Sequence, residues 1–500
     1  MEGMLSVSMR AASWRSRLAV AGTALALCLT LGVGSVPAWA QAGGAGRGVG
    51  GGRGHSGTGL FPGAAGSQLE EEVEQPRVSV PVPPPPSPYA DTLFGDWGGL
   101  RTRLLNQGID LRFDYTAEVA GNVSGQRKGF DYAHQFGFTA DIDMEKLVGI
   151  PGFATHFAII NRAGRNLSSD YLGDFLSQAQ EVFGATFDRV LYFVYLYGEE
   201  KLLNDQLNIA VGRIPMGMDF ATSPLDCIPV ALTPQCGVPG ALANSTAFTQ
   251  WPQSAWAGRV RARPTADIYV QTGLYQVQPI PAGGPSGWDW TLHGSTGLAV
   301  PVEIGWEPIF GPAKLPGHYK AGFMHDTSDY PDLLYNDLGQ PLAFSLLPAA
   351  TRHGRDGFWV VGDQMLWRNG PGTDQGVIVL ASYAHSSSNT SVTANTAFVM
   401  LIDEGFIPSR PNDIASISFG WFGISNRLRQ LQQIDIETGL PVAHGSVGPQ
   451  TNEYVLEANY TFPVYRGVTV EPAIQYFVNP NADRRVRNAV VFAGRLHINF

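Results

Sequence analysis

Residues 110–119 read DLRFDYTAEV. Leu111, Phe113, Tyr115, Ala117 and Val119 fall on one side of an extended chain, and Asp110, Arg112, Asp114, Thr116 and Glu118 on the other. Four of the five polar positions are charged, so the second face must meet water or ion partners. The pattern returns along the chain. In QFGFTADIDME, Phe136, Phe138, Ala140, Ile142 and Met144 oppose Gln135, Thr139, Asp141, Asp143 and Glu145. In YVLEANYTF, Tyr454, Leu456, Ala458, Tyr460 and Phe462 oppose Val455, Glu457, Asn459 and Thr461. Val470, Ile474 and Tyr476 stand against Thr469, Glu471 and Gln475, and Leu496, Ile498 and Phe500 against Arg495, His497 and Asn499.

A period of two is shared by soluble sandwiches and membrane barrels. Three features favour an all-β, transmembrane antiparallel barrel. The apolar faces are aromatic near their ends, Gly, Asn, Asp and Pro turns separate the segments, and an export signal stands before a chain with no run of about 18 apolar residues. The composition agrees, with 60 glycines, 15% charged residues and a mean hydropathy of −0.03, too low for a helical membrane protein. Energy then fixes the facing. An Arg on the lipid side at mid-bilayer costs about 2–4 kcal/mol, so Arg112, Asp114 and Glu118 are expected to face the lumen. The last segment reads as the closing strand, with Phe500 in the membrane interface.

The N-terminus reads as a secretory signal over residues 1–40: Arg10, Arg15 and Arg17, an apolar stretch from Leu18 to Leu31, and cleavage after Ala38-Trp39-Ala40. Its removal takes three arginines and Glu2, moving the net charge from −10 to −12, which argues against nucleic acid as a partner. Residues 41–90 form a Gly/Pro-rich linker with an acidic patch at Glu70, Glu71, Glu72 and Glu74, expected to be disordered. Residues 91–109 predict a short amphipathic helical segment of about three turns, with Asp96 at its cap, Trp97, Leu100 and Leu104 on one face, and Gly108 at a left-handed exit. The barrel domain is expected over 110–500. Cys227 and Cys236, in SPLDCIPVALTPQCGVPG, are placed to close a local loop as a disulfide in an oxidising compartment.

Five dispersed stretches, FGDWGGLRTRLLNQGI, VGRIPMGMDF, GHYKAGFMHDTSD, GFWVVGDQMLWR and VEPAIQYFVNPNADRRVRNAVVFAGRLHINF, together resemble the carbohydrate-selective porin family of the OprB type, from about residue 91 to 500. The resemblance implies a sixteen-stranded barrel in the bacterial outer membrane and passive diffusion of sugars, glucose above all, through a narrow polar pore. It implies short periplasmic turns, longer external loops and a helical segment on the periplasmic side. The Gly/Pro extension departs from the family pattern.

A neutral, hydroxyl-rich solute needs many moderate hydrogen-bond partners and no deep trap. The pore-lining, sugar-contacting candidates are Arg112, Asp114, Glu118, Asp141, Asp143, Glu457, Glu471, Gln475 and Arg495, with Arg162 from NRAGRNLS and Arg213 from GRIPMGMDF. For each, the competing role is a lumen-wall salt bridge that never meets sugar, and Arg213 has Asp219 as a possible partner near a turn. Asp141, Asp143 and Glu145 share one face, but a divalent metal draws ligands from a tight loop or several elements, so no metal and no cofactor is expected. His325, Asp326 and Asp329 in HDTSDYPD read as a polar loop. No G-x-S-x-G, Walker loop or H-E-x-x-H is present, so no enzyme is expected. The expected partners are mono- or small oligosaccharides, outer-membrane lipid and lipopolysaccharide, and the barrel-assembly machinery through the C-terminal strand. The alternatives are a general or ion-preferring porin, a secreted soluble sugar-binding β protein, and a barrel enzyme using Ser382 and His385.

Overall fold

The computed structural model describes residues 88–182, 190–249, 251–278, 287–288, 290–345, 347–372 and 374–500. The predicted signal and all but the last three residues of the predicted linker lie outside them.

Among the described residues, sixteen antiparallel strands close on themselves: β1 (Ile109–Asn122), β2 (Phe130–Asp143), β3 (Phe153–Gly164), β4 (Val190–Leu202), β5 (Leu207–Ile214), β6 (Ala255–Ala262), β7 (Ile268–Val277), β8 (Gly297–Trp306), β9 (Leu315–Asn336), β10 (Ala349–Arg368), β11 (Gly376–Ser386), β12 (Thr393–Glu404), β13 (Ile414–Ile424), β14 (Asn452–Tyr465), β15 (Val468–Val478) and β16 (Ala489–Asn499). A two-residue ladder, Ile309–Phe310 against Leu315 and Pro316, decorates the turn before β9. Each strand pairs with its neighbours in sequence, and β1 pairs with both β2 and β16, so no edge is left open. Among the described residues no helix is long and apolar enough to cross a membrane, and the barrel crosses with strands.

The alternation of apolar and polar residues maps onto the two sides of this wall. Ile417 is 63% exposed while its neighbour Ser418 is 3% exposed, and Val211, Leu274, Phe492 and Ile474 stand on the outer skin with Ile417. Arg112, Asp114 and Glu118 face inward, as the cost of burying charge in lipid requires. Aromatic rings gather where the belt ends, with Trp306 stacked on Tyr319 at 5.5 Å and Phe94 against Phe500 at 5.5 Å.

Three local expectations are corrected. The N-terminal helix is shorter than three turns, a 3₁₀ turn at Trp97–Gly99 leading into an α-helix at Leu100–Asn106. Gly98 and Gly99 have φ of 65° and 89° and form the bend before the helix, so they do not weaken its interior. Asp96 still serves the helix start, accepting the Thr102 N–H at 2.7 Å and the Thr102 hydroxyl at 2.7 Å. Strand β2 stops at Asp143, and Glu145 belongs to a one-turn helix, Met144–Val148. His325, Asp326 and Asp329 lie inside β9, which runs on to Asn336 through bulges.

Turns between the strands alternate in length. One end carries short connections such as 203–206, 263–267 and 466–467, together with the helix Leu100–Asn106 and the end of β16. The other carries long ones, chiefly 165–189, 215–254 and 425–451. The described parts of two of these, 165–182 and 215–249, turn inward.

Candidate functional site in the barrel lumen

The segment 215–254 is apolar and proline-punctuated, too greasy for an aqueous loop, and it packs against the inner wall. Met216, Phe220, Ile228, Ala241 and Leu242 are buried against wall residues such as Trp359, Leu380 and Phe398, and Ala231 is buried in a second cluster with Phe422 and Val455. Cys227 and Cys236 are joined as a disulfide across this segment, with Cα atoms 4.7 Å apart. The loop before β4 lies beside it. Leu232 N–H donates to Gln178 O at 2.9 Å, and Glu181 N–H to Val230 O at 2.6 Å.

Both loops are tied to the wall by predicted lumen residues. Arg495 donates Nε–H to Glu118 Oε1 at 2.7 Å and pairs with Glu471 at 3.3 Å and Glu181 at 3.5 Å. Its remaining N–H groups reach the carbonyls of Cys227, Ile228 and Pro229 at 3.2, 3.2 and 2.8 Å. Glu457 accepts the N–H groups of Val230 and Ala231 at 2.7 and 2.8 Å, and Glu118 that of Val182 at 2.8 Å. Gln475 donates to Ala179 O at 2.9 Å. Glu118, Glu457, Glu471, Gln475 and Arg495 therefore face inward as expected but are buried beneath the two loops and hold them in place. Burying a carboxylate is tolerable only with such partners.

The other candidates divide. Arg112, with a side chain 41% exposed, pairs with Asp110 and Asp141 in open lumen. Asp114 is buried over Gly137, where a Cβ would meet its carboxylate. Asp143 caps the helix Met144–Val148 through the Lys146 N–H, at the end of the wall. Arg162 is buried and donates to Gln135 at 2.8 Å. Arg213 follows Gly212, whose φ is 149°, and is buried with Nη2 donating to Ser254 O at 2.8 Å. Asp219, the partner considered for Arg213, pairs with Arg259 at 3.2 Å and Arg261 at 3.7 Å.

That last contact belongs to a larger arrangement. Polar contacts run along the inner wall: Arg112 pairs with Asp141, the His156 ring lies between Asp141 (2.6 Å) and Glu199 (3.6 Å), and Arg259 pairs with Glu199 (3.2 Å) and with Asp219 (3.2 Å) on the inward loop. Arg261 continues to Gln271 (2.8 Å), Gln271 to Glu303 (2.8 Å), and Glu303 accepts Trp359 Nε1–H at 2.7 Å. Aromatic rings adjoin this belt. His156 stacks on Tyr197 at 4.6 Å, and Tyr195 lies 5.5 Å from Tyr197 and 6.1 Å from Trp251. Trp251 donates to Gln135 at 3.0 Å. In the inward loop, burial pushes the Asp226 carboxyl up to about 7, against the hydrogen bonds it accepts from Ser223, Gln235 and Thr222.

Sequence reading missed the belt beyond Asp141, although its signal was present. Tyr195, Tyr197 and Glu199 alternate along β4, and Arg259, Arg261 and Arg263 along and just past β6, at the strand period. Ser382 and His385, three residues apart on β11, fall on opposite faces of the wall.

A closed barrel with an apolar outer belt, a charged inner wall and a long loop folded into its lumen defines an outer-membrane porin. The model of the carbohydrate-selective porin family, OprB type, matches residues 127–500, and the chain belongs to that family. It is 29% identical over 418 residues to Porin B of Pseudomonas aeruginosa, covering 81% of this chain and 90% of that protein. A putative porin, QuiX, of Acinetobacter baylyi is 25% identical over 426 residues, covering 82% and 93%. The solved high-pH structure of Pseudomonas putida OprB superimposes with a TM-score of 0.76 at 29% identity, covering 82% of this chain and 98% of that one. This is an outer-membrane channel for passive, carbohydrate-selective diffusion.

Proposed function

We propose that sugars cross the lumen along the paired-charge belt and its aromatic neighbours, Arg112, Asp141, His156, Glu199, Arg259 and Asp219 beside Tyr195, Tyr197 and Trp251. The observation that carries this reading is the pairing itself. Opposite charges held side by side offer strong donors and acceptors to hydroxyl groups but little net field to attract an ion. Of the sequence-predicted candidates, Arg112 and Asp141 line this path, Asp114 and Arg162 are buried in the wall beside it, and Glu118, Glu457, Glu471, Gln475 and Arg495 shape it by anchoring the loops. The chain acts as a channel rather than an enzyme. Its apolar belt contacts outer-membrane lipid and lipopolysaccharide, and strand β16 is the segment the barrel-assembly machinery engages.

Liposome swelling with sugars of graded size, against charged solutes of equal size, tests the reading. Sugars should permeate faster than ions of matched volume. Equal permeation up to one size cutoff would make this a general porin, and faster permeation of ions an ion-preferring one.

A further inference from the structure

Where the loop before β4 meets the wall, Asp174 and Glu453 lie with their carboxyl groups within hydrogen-bonding reach of one another, both fully buried. Asp174 Oδ1 accepts the N–H groups of Leu176 and Asn481, each at 3.0 Å. Asp174 Oδ2 and both oxygens of Glu453 are buried without a hydrogen-bond donor. Asn481 and Ala482 have φ of 57° and 56°, a left-handed pair whose N–H groups turn toward the two carboxyls, as backbone nests do for anions.

Among the described residues no basic side chain is paired with either carboxyl, and Arg484, Arg485 and Arg487 on the 479–488 connection are exposed. On the same loop Asp170 is paired with Arg165, at 2.7 Å. On the 479–488 connection Asp483 turns to Ser446 and Gly448, and Arg485 to the Val447 carbonyl. Strand β13, beside Glu453, carries no titratable side chain. The elements that carry the pair also contribute to apolar clusters, with Leu176, Ile424 and Ala482 in one and Leu172, Phe422, Val455 and Phe477 in another. Two carboxylates in contact, in a dry place and without a counter-charge, cannot both be ionised.

We propose that Asp174 and Glu453 share a proton and form an acid-pair latch, which fastens the loop before β4 to β14 and to the 479–488 connection, and which opens as the last proton leaves. Because that loop also carries Gln178, Ala179 and Glu181 against the inward segment and the wall, its release loosens the covering of the lumen. The sign follows from linkage. The latched state holds the proton more tightly than the open one, so latching is complete in acid and is lost as pH rises. Burial raises the Asp174 carboxyl above the ordinary carboxylate range, so release belongs to the alkaline side.

The test is single-channel recording of the full-length porin in planar bilayers between pH 5 and 9, for wild type, Glu453→Gln and Asp174→Asn. In wild type the ratio of loosened to latched conductance levels should rise on the alkaline side by about tenfold per pH unit, the slope of one linked proton. Glu453→Gln should flatten that slope, and the difference between the two proteins at each pH separates the pair from Asp226. The wild-type titration stands without any variant, and retention of the heat-modifiable barrel band shows that each variant folds. A slope unchanged in both variants would overturn the latch. So would latching at pH 9 that depends on calcium and vanishes with chelator, since the pair would then hold a cation rather than a proton.

Discussion

Arg495 and Glu118, 377 residues apart in sequence, face each other across the seam where the last strand meets the first, with Nε 2.7 Å from Oε1. Register partners at the closure of the barrel thus also form the hub on which both inward loops rest. Replacing Arg495 with Met leaves Glu118, Glu471 and Glu181 buried without their shared cation. Removing one partner of a buried ion pair costs about 3–5 kcal/mol. Arg495→Met should lower the urea midpoint of the folded barrel accordingly, whereas removing the hub acids together with the cation, as Arg495→Met with Glu118→Gln and Glu471→Gln, should recover most of the loss. A single variant as stable as wild type would show that the seam does not depend on the hub.

The facing of the wall gives a paired test on adjacent residues. Ile417 is on the outer skin and Ser418 on the inner one. Ile417→Arg places a charge in hydrocarbon and should cost about 2–4 kcal/mol at mid-bilayer, read as a lower folded fraction in lipid vesicles. Ser418→Asn should leave folding near wild type. Equal sensitivity at both positions would mean the wall has no lipid side.

The Cys227–Cys236 bond closes a short loop, with a sequence separation of 9, inside the segment that narrows the lumen. Chain-entropy arguments assign such a loop about 2–3 kcal/mol. The carbonyls of Cys227, Ile228 and Pro229 that receive Arg495 sit in this loop. Replacing both cysteines with Ser should leave the barrel folded, because sixteen strands carry its stability, and should raise conductance noise. Unchanged noise would show that the Arg495 and Glu457 contacts suffice to hold the loop.

How far the sequence could be read follows from what each signal encodes. A strand period of two states which side chains share a face, so Arg112, Asp114, Glu118, Glu457, Glu471, Gln475 and Arg495 were legible as inward residues. It does not state what lies over them. The cover comes from 177–182 and 228–231, whose contacts with the wall span 62 to 314 residues of sequence, and no local pattern reports such a distance. The greasiness of SPLDCIPVALTPQCGVPG was the available hint, since a loop with Ile228, Val230 and Ala231 has to bury them somewhere. The belt is hidden for a related reason. His156, Glu199, Arg259 and Asp219 come from three strands and a loop, and only the closed wall brings them into contact.

Charge pairing along that belt sets the ion preference of the pore, and Arg259 is where it can be unbalanced. Its side chain is 3% exposed and touches Glu199 at 3.2 Å and Asp219 at 3.2 Å. Arg259→Gln removes the cation and keeps a hydrogen-bond donor, leaving two carboxylates beside the path. A unit charge a few ångströms from a permeating ion is worth about 1 to 4 kcal/mol between aqueous and protein-surface screening. The cation-to-anion permeability ratio should therefore rise by about tenfold or more, measured as the reversal potential in a potassium chloride gradient at low ionic strength, and the shift should shrink as salt screens the site. Arg259→Gln with Glu199→Gln and Asp219→Asn removes both signs of charge and should return the ratio toward wild type. Sugar flux should fall in the triple variant as well, because it weakens the donors and acceptors along the wall without creating a field. An Arg259→Gln pore with an unaltered reversal potential would mean that ions do not pass close to this belt, and the sugar path would have to be sought on another part of the wall.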